Sequence, residues 1–216
     1  MPEKSNPDDP RAERVLTFWF ADSLDSAEAL RRRVAFWFGG DTDQEVETVD
    51  RQIEQEFRAD MERAATGDYA GWARTPRGRL ALILLLDQFP RNVFRGTARA
   101  FATDPMALVL VLEGMERGVD ALLQPAERLF FYLPLEHAEN IEAQERGVAA
   151  CAALALDAPA PIREYFDEFT RYAEQHRDII RRFGRFPHRN AILGRQSTAE
   201  EREYLAHESV DFGQRG

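Results

Sequence analysis

The chain predicts an all-α protein, on three observations. Apolar residues recur at spacings of three and four through almost every segment. Helix caps and first-turn prolines recur between those segments. No segment sustains the period-two alternation that a sheet requires. At 216 residues the chain is long enough for one domain with a large core. Residues 11–206 are assigned to that domain, 1–10 to a disordered N-terminal tail and 207–216 to a C-terminal tail.

The elements follow in order. Pro10–Phe20 carries Leu16, Trp19 and Phe20 on one face. Asp25-Ser26-Ala27-Glu28 reads as a capping box before the stripe Leu30, Val34, Trp37, Phe38, which Gly39-Gly40 ends. Residues 44–65 place Val46, Val49, Ile53, Phe57, Met61 and Ala64 on one face, with Glu54–Arg58 as a favourable pair and Gly67 as the stop. Thr75-Pro76 caps the next helix. Its run Leu80–Leu86 is apolar all round and so should be central, as should Met106–Leu112 after Thr103-Asp104-Pro105. Pro90 is expected to break the first of these. Pro125 opens a further helix and Pro134 should kink it. A long helix covers about 138–156, Asp157–Pro161 is a linker, and 162–183 is strongly amphipathic. Ser197-Thr198-Ala199-Glu200-Glu201 caps a short last helix.

A weak internal repeat runs at an offset of 49 residues: Arg79, Leu80, Leu84, Leu86, Asp87 and Gln88 match Arg128, Leu129, Leu133, Leu135, Glu136 and His137. Helical self-similarity at a fixed period predicts stacked antiparallel hairpins, as in tetratricopeptide-repeat arrays.

Charge is the strongest functional lead. The net charge is −10, yet residues 87–99 and 176–195 hold nine Arg against two acids. The remainder carries 19 Lys plus Arg against 36 acids. An acidic protein with a pI near 5.0 is a poor partner for duplex nucleic acid, whose affinity comes mostly from positive surface. The single cysteine, Cys151, lies in an apolar run and reads as a buried thiol in a reducing compartment. No apolar stretch is long enough to span a bilayer. A cytoplasmic protein without membrane association is expected.

The two basic segments, with Val15–Phe20, Arg99–Pro105 and Tyr132-Leu133-Pro134-Leu135-Glu136-His137, resemble a mainly bacterial family of uncharacterised proteins, domain of unknown function 924. The resemblance spans about residues 11–206. It implies an all-helical, tetratricopeptide-repeat-like fold and no established activity, cofactor or catalytic residue.

Three chemistries are open to the residues themselves. The first is an anion site, since guanidinium forks hold carboxylate or phosphate bidentately. Its candidates are Arg91, Asn92, Arg95, Arg182, Arg185, His188, Arg189 and Asn190, with Arg91, Arg182 and Arg189 expected to converge in one partly exposed pocket. The like-charged neighbours Arg177 and Arg181 favour a nearby anion. The competing expectation is internal ion pairing, with Asp178–Arg182 at suitable spacing and Asp87, Glu136 or Glu139 as partners across helices. The second is acid–base chemistry from Asp87, Glu136, His137, His176 and His188, with His188, Asp87 and Glu136 foremost. None has close metal-ligand spacing, and neither a metal nor a cofactor is expected. The third is an aromatic groove for a peptide, from Phe18, Trp19, Phe20, Trp37, Phe38 and Trp72, against the plainer reading of core packing. Serine or cysteine nucleophile motifs and Gly-rich phosphate loops are not legible. The reading is a helical protein binding a small anion through arginines. A protein-interaction scaffold and an enzyme acting on an anionic substrate are the alternatives.

Overall fold

The computed structural model describes residues 9–23, 26–38 and 43–208. All regular structure among them is helical. Helix α1 (Pro10–Phe20) is capped by Asp9, whose carboxylate accepts from the Arg11 amide. Helix α2 (Ala27–Phe38) is capped by Ser26, whose Oγ accepts from Ala29 N–H. Asp25 and Gly39-Gly40 lie outside the described residues. Helix α3 (Asp43–Ala65) follows.

At the centre, α4 (Pro76–Ile83) passes through one wide π-type turn (Leu84–Gln88) into α5 (Phe89–Val93). The expected break at Pro90 is therefore absent: the proline is absorbed within a continuous helical path. Proline has no N–H for the carbonyl one turn back, that of Leu86. The Thr103 hydroxyl donates to that carbonyl instead, at 2.5 Å, and the widened turn removes the clash. Leu80–Leu86 are all buried, as their pattern requires.

Helix α6 (Asp104–Glu116) corrects the second expectation of a central helix. Ala107 and Val111 are buried, but Met106 and Val109 face outward. Helix α7 (Pro125–His137) runs through Pro134. Helices α8 (Ile141–Asp157) and α9 (Arg163–Phe183) follow through short connections, with α7 packed on α8 and α8 on α9. Consecutive packed helices joined this closely are antiparallel hairpins. Gly147 sets the α7–α8 distance, since a Cβ there would stand 3.1 Å from that of Leu135. Gly184, at φ 71°, ends α9 in the left-handed region. Helix α10 (Ala199–His207) is closed by a Thr198–Glu201 capping box.

The internal repeat is structural. Gly67 and Gly118 both take positive φ, a short 3-10 turn follows each, and Pro76 and Pro125 both occupy a first helical turn. The two copies, α4 and α7, pack together. Arg77 pairs with Glu127 at their N-terminal ends, and Asp87 meets His137 at the far ends. The two helices therefore run side by side in the same direction.

The aromatic candidates fill the core. Trp19 packs on Phe36, Phe89 and Phe130 with centroids 5.4–5.8 Å apart, and Trp72 stacks on Tyr69 at 4.2 Å. Phe38 alone of the six is half-exposed. Among the described residues no helix is long and apolar enough to cross a membrane.

Candidate functional site

The π turn decides the site's geometry. By widening the helix between α4 and α5 it aims Asp87 into the interior, where the carboxylate is fully buried. A buried carboxylate must be met by cations or donors. Here His137 Nδ1 lies 2.8 and 3.0 Å from the two oxygens, Gln88 Nε2 donates at 2.6 Å, and Arg91 Nη1 stands at 3.1 Å. Burial pushes the Asp87 pKa up, but Arg91 and then His137 overcome it and hold the group ionised. Nδ1 of His137, facing two oxygens of an ionised carboxylate, must carry the proton. Burial, helped by Arg91, lowers the His137 pKa and keeps the ring neutral, so the unprotonated lone pair belongs to Nε2.

Arg91 forks onto Asp104 with two bonds of 2.8 Å and donates to the Asp87 carbonyl at 2.8 Å. Asp104 opens α6, where the helix dipole favours a carboxylate. Arg189 reaches the same carboxylate from the short turn Pro187–Arg189, at 3.6 Å, beyond hydrogen-bonding distance. Its guanidinium lies between the rings of Phe101 and Phe186, at 4.6 and 4.4 Å from their centroids. Nη1 donates to the His137 carbonyl at 3.0 Å, and Nε is buried without a hydrogen-bond partner among the described residues. Burial, then the charge of Arg91, bring the Arg189 pKa down to about 10.

Behind this cluster is a second buried group. Glu136 has no arginine partner among the described residues; Cys151 Sγ donates to its Oε1 at 3.5 Å, and burial pushes its pKa up to about 8. His176, on α9, has Nδ1 2.8 Å from the Tyr172 carbonyl and 3.9 Å from Glu136 Oε2. Burial drives its pKa down to about 3. His188, beside Arg189 on the same turn, is partly buried with its ring 5.4 Å from Phe186. It is His137, not His188, that meets Asp87. Among the described residues no three His, Cys, Asp or Glu side chains are grouped so as to hold a metal ion.

The arginines expected to converge divide into separate groups. Arg91 and Arg189 meet at Asp104. Arg182 does not join them: it is exposed and pairs with Glu200 at 2.8 Å and Glu208 at 3.1 Å. The expected Asp178–Arg182 pair is replaced by Asp178 with Arg177 and Arg181, both at 2.9 Å, so the like charges share one carboxylate. Asn92 and Arg95 hold Asp50 of α3. Arg185 forks onto Glu201, and Asn190 reaches Ser197 and accepts from Arg195. Arg195 in turn holds Glu139 at 2.6 Å. Much of the basic charge thus fastens helices together.

Fold and site define an all-helical protein with an ion-pair cluster buried where two parallel helix ends meet. The chain matches the model of the family described as bacterial proteins of unknown function, DUF924, over residues 15–209, and it belongs to that family. It is similar to the solved structure of a protein of unknown function from Agrobacterium tumefaciens, at 40% identity and a TM-score of 0.74, over 93% of this chain and 98% of that one. No functionally curated protein matches.

Proposed function

We propose that the protein binds a small anion at the end of the α4/α7 pair, with Arg189 as the principal cation and Arg91 and His137 beside it. One observation carries this reading. Among the described residues, Arg189 is a buried cation that hydrogen-bonds to a single carbonyl oxygen, while the nearest carboxylate is shared with Arg91 and stands at 3.6 Å. A buried charged donor left unsatisfied costs about 1–3 kcal/mol or more, and an anion on the guanidinium edge would remove that cost. Of the other arginines the sequence singles out, Arg95, Arg182 and Arg185 hold carboxylates of the protein itself and lie outside this proposed site.

The test is calorimetric titration with phosphate, sulfate, malate and succinate on the wild type, on Arg189→Gln and on Arg182→Ala. Binding that Arg189→Gln abolishes while its circular dichroism is unchanged, and that Arg182→Ala retains, supports the site. Absence of binding by all four anions, or equal binding by Arg189→Gln, refutes it.

The Asp87–His137 pair favours a second reading, an enzyme acting on the bound anion. A neutral imidazole fixed at Nδ1 by a buried carboxylate has the arrangement of a general base. Turnover of any anion in the panel that Asp87→Asn lowers without weakening binding would support it.

A further inference from the structure

We infer that the anion taken at this site must itself carry a hydrogen-bond donor, and that Nε2 of His137 is the acceptor that selects it. The inference rests on the anion-site reading above and adds the chemical class of the ligand.

The geometry fixes the polarity of the imidazole. Nδ1 is committed as donor to Asp87, so Nε2 is left with a lone pair and no proton. Among the described residues Nε2 has no hydrogen bond, and it is not one of the atoms buried without a partner; the ring is 15% exposed. The Nη1 of Arg189 rests on the carbonyl of the same residue. Arg189 is thus anchored on the backbone of the residue whose ring carries the neutral acceptor. An anion whose oxygens are all unprotonated would satisfy the guanidinium but turn an oxygen lone pair toward Nε2. One with a hydroxyl next to its charge satisfies both. Hydrogen phosphate and 2-hydroxycarboxylates have that chemistry; sulfate and plain dicarboxylates do not.

Discrimination of this type is strong because an acceptor that a bound anion covers and faces with another acceptor is left unpaired. Two matched pairs of probes test it near neutral pH: phosphate against sulfate, tetrahedral oxyanions of which only phosphate keeps a proton, and malate against succinate, which differ in one hydroxyl. The expected result is a preference of roughly 10- to 100-fold for the donor-bearing member of at least one pair. The pair that shows it separates a phosphate site from a hydroxyacid site. His137→Phe is expected to bind both members of that pair about equally.

Arginine-dependent binding with no preference in either pair overturns this inference and leaves the anion site standing. A preference that survives His137→Phe also overturns it. If none of the four anions binds, the anion site falls and this inference with it. Should His137→Phe fail to fold, the wild-type comparison still decides.

Discussion

The carboxyl of Glu136 should make the folded protein less stable as pH rises, and Glu136→Gln should remove that dependence. Glu136 is 3% exposed, with Cys151 as its hydrogen-bond donor. Burial carries its pKa from 4.5 to about 8. A carboxylic acid whose folded pKa is raised contributes stability fully below the unfolded value. That contribution is lost as pH rises through the folded value, because the unfolded chain ionises first. At ~1.4 kcal/mol per tenfold change in proton affinity, the loss is about 3 kcal/mol at pH ~7 and about 5 kcal/mol above pH ~8. Gln is close in shape to the protonated acid, and its carbonyl can accept from Cys151. The groups facing Glu136 keep one charge state in the folded protein across this window, so they affect wild type and variant alike: His176 is held down to about 3, Asp87 is held ionised, and the Cys151 thiol is pushed well up by burial. The assay is urea denaturation of wild type and Glu136→Gln followed by circular dichroism, at several pH values between 4.5 and 9 (the window set by the two pKa values). Glu136→Gln should match the wild type at the acid end and exceed it progressively above. A gap that is independent of pH, or that opens toward acid, would refute the reasoning.

Other perturbations follow from the same cluster. Asp104→Asn removes the carboxylate shared by two buried guanidinium groups and should cost about 3–5 kcal/mol in urea denaturation; Arg182→Ala, on the surface, should leave the midpoint unchanged. Thr103→Val strands the Leu86 carbonyl above Pro90 and should cost about 1–3 kcal/mol. It should also raise amide exchange around the π turn. His176 is held neutral, its pKa lowered from 6.5 to about 3. The stability it contributes is present above 6.5 and lost as pH falls toward 3, so His176→Leu should flatten the acid limb of the stability profile.

Much of the fold was legible in the chain. The spacing of Leu16, Trp19 and Phe20, the Thr75-Pro76 cap and the Thr198–Glu201 box specify their helices locally, because caps and amphipathic periods act over one or two turns. The repeat also gave warning that Asp87 and Glu136–His137 occupy equivalent places. Met106–Leu112 misled because an apolar helix does not declare which of its faces will be covered. Pro90 misled because its effect depends on Thr103, thirteen residues away, supplying the missing donor.

The site was legible as composition and not as geometry. The sequence determined on its own that arginines are concentrated in two segments and that Asp87, His137 and Glu136 lie near helix ends. Only the tertiary structure decided their pairing. It set α4 and α7 in parallel, so that Asp87 found His137 rather than His188, and it drew Arg91 and Arg189 to one carboxylate while Arg182 turned to Glu200. The physical reason is that helix formation is governed by neighbours in sequence, whereas the partner of a buried charge is chosen by desolvation. Whichever opposite group the packing carries within about 3–4 Å becomes its partner, and that distance is set by helices far apart in the chain.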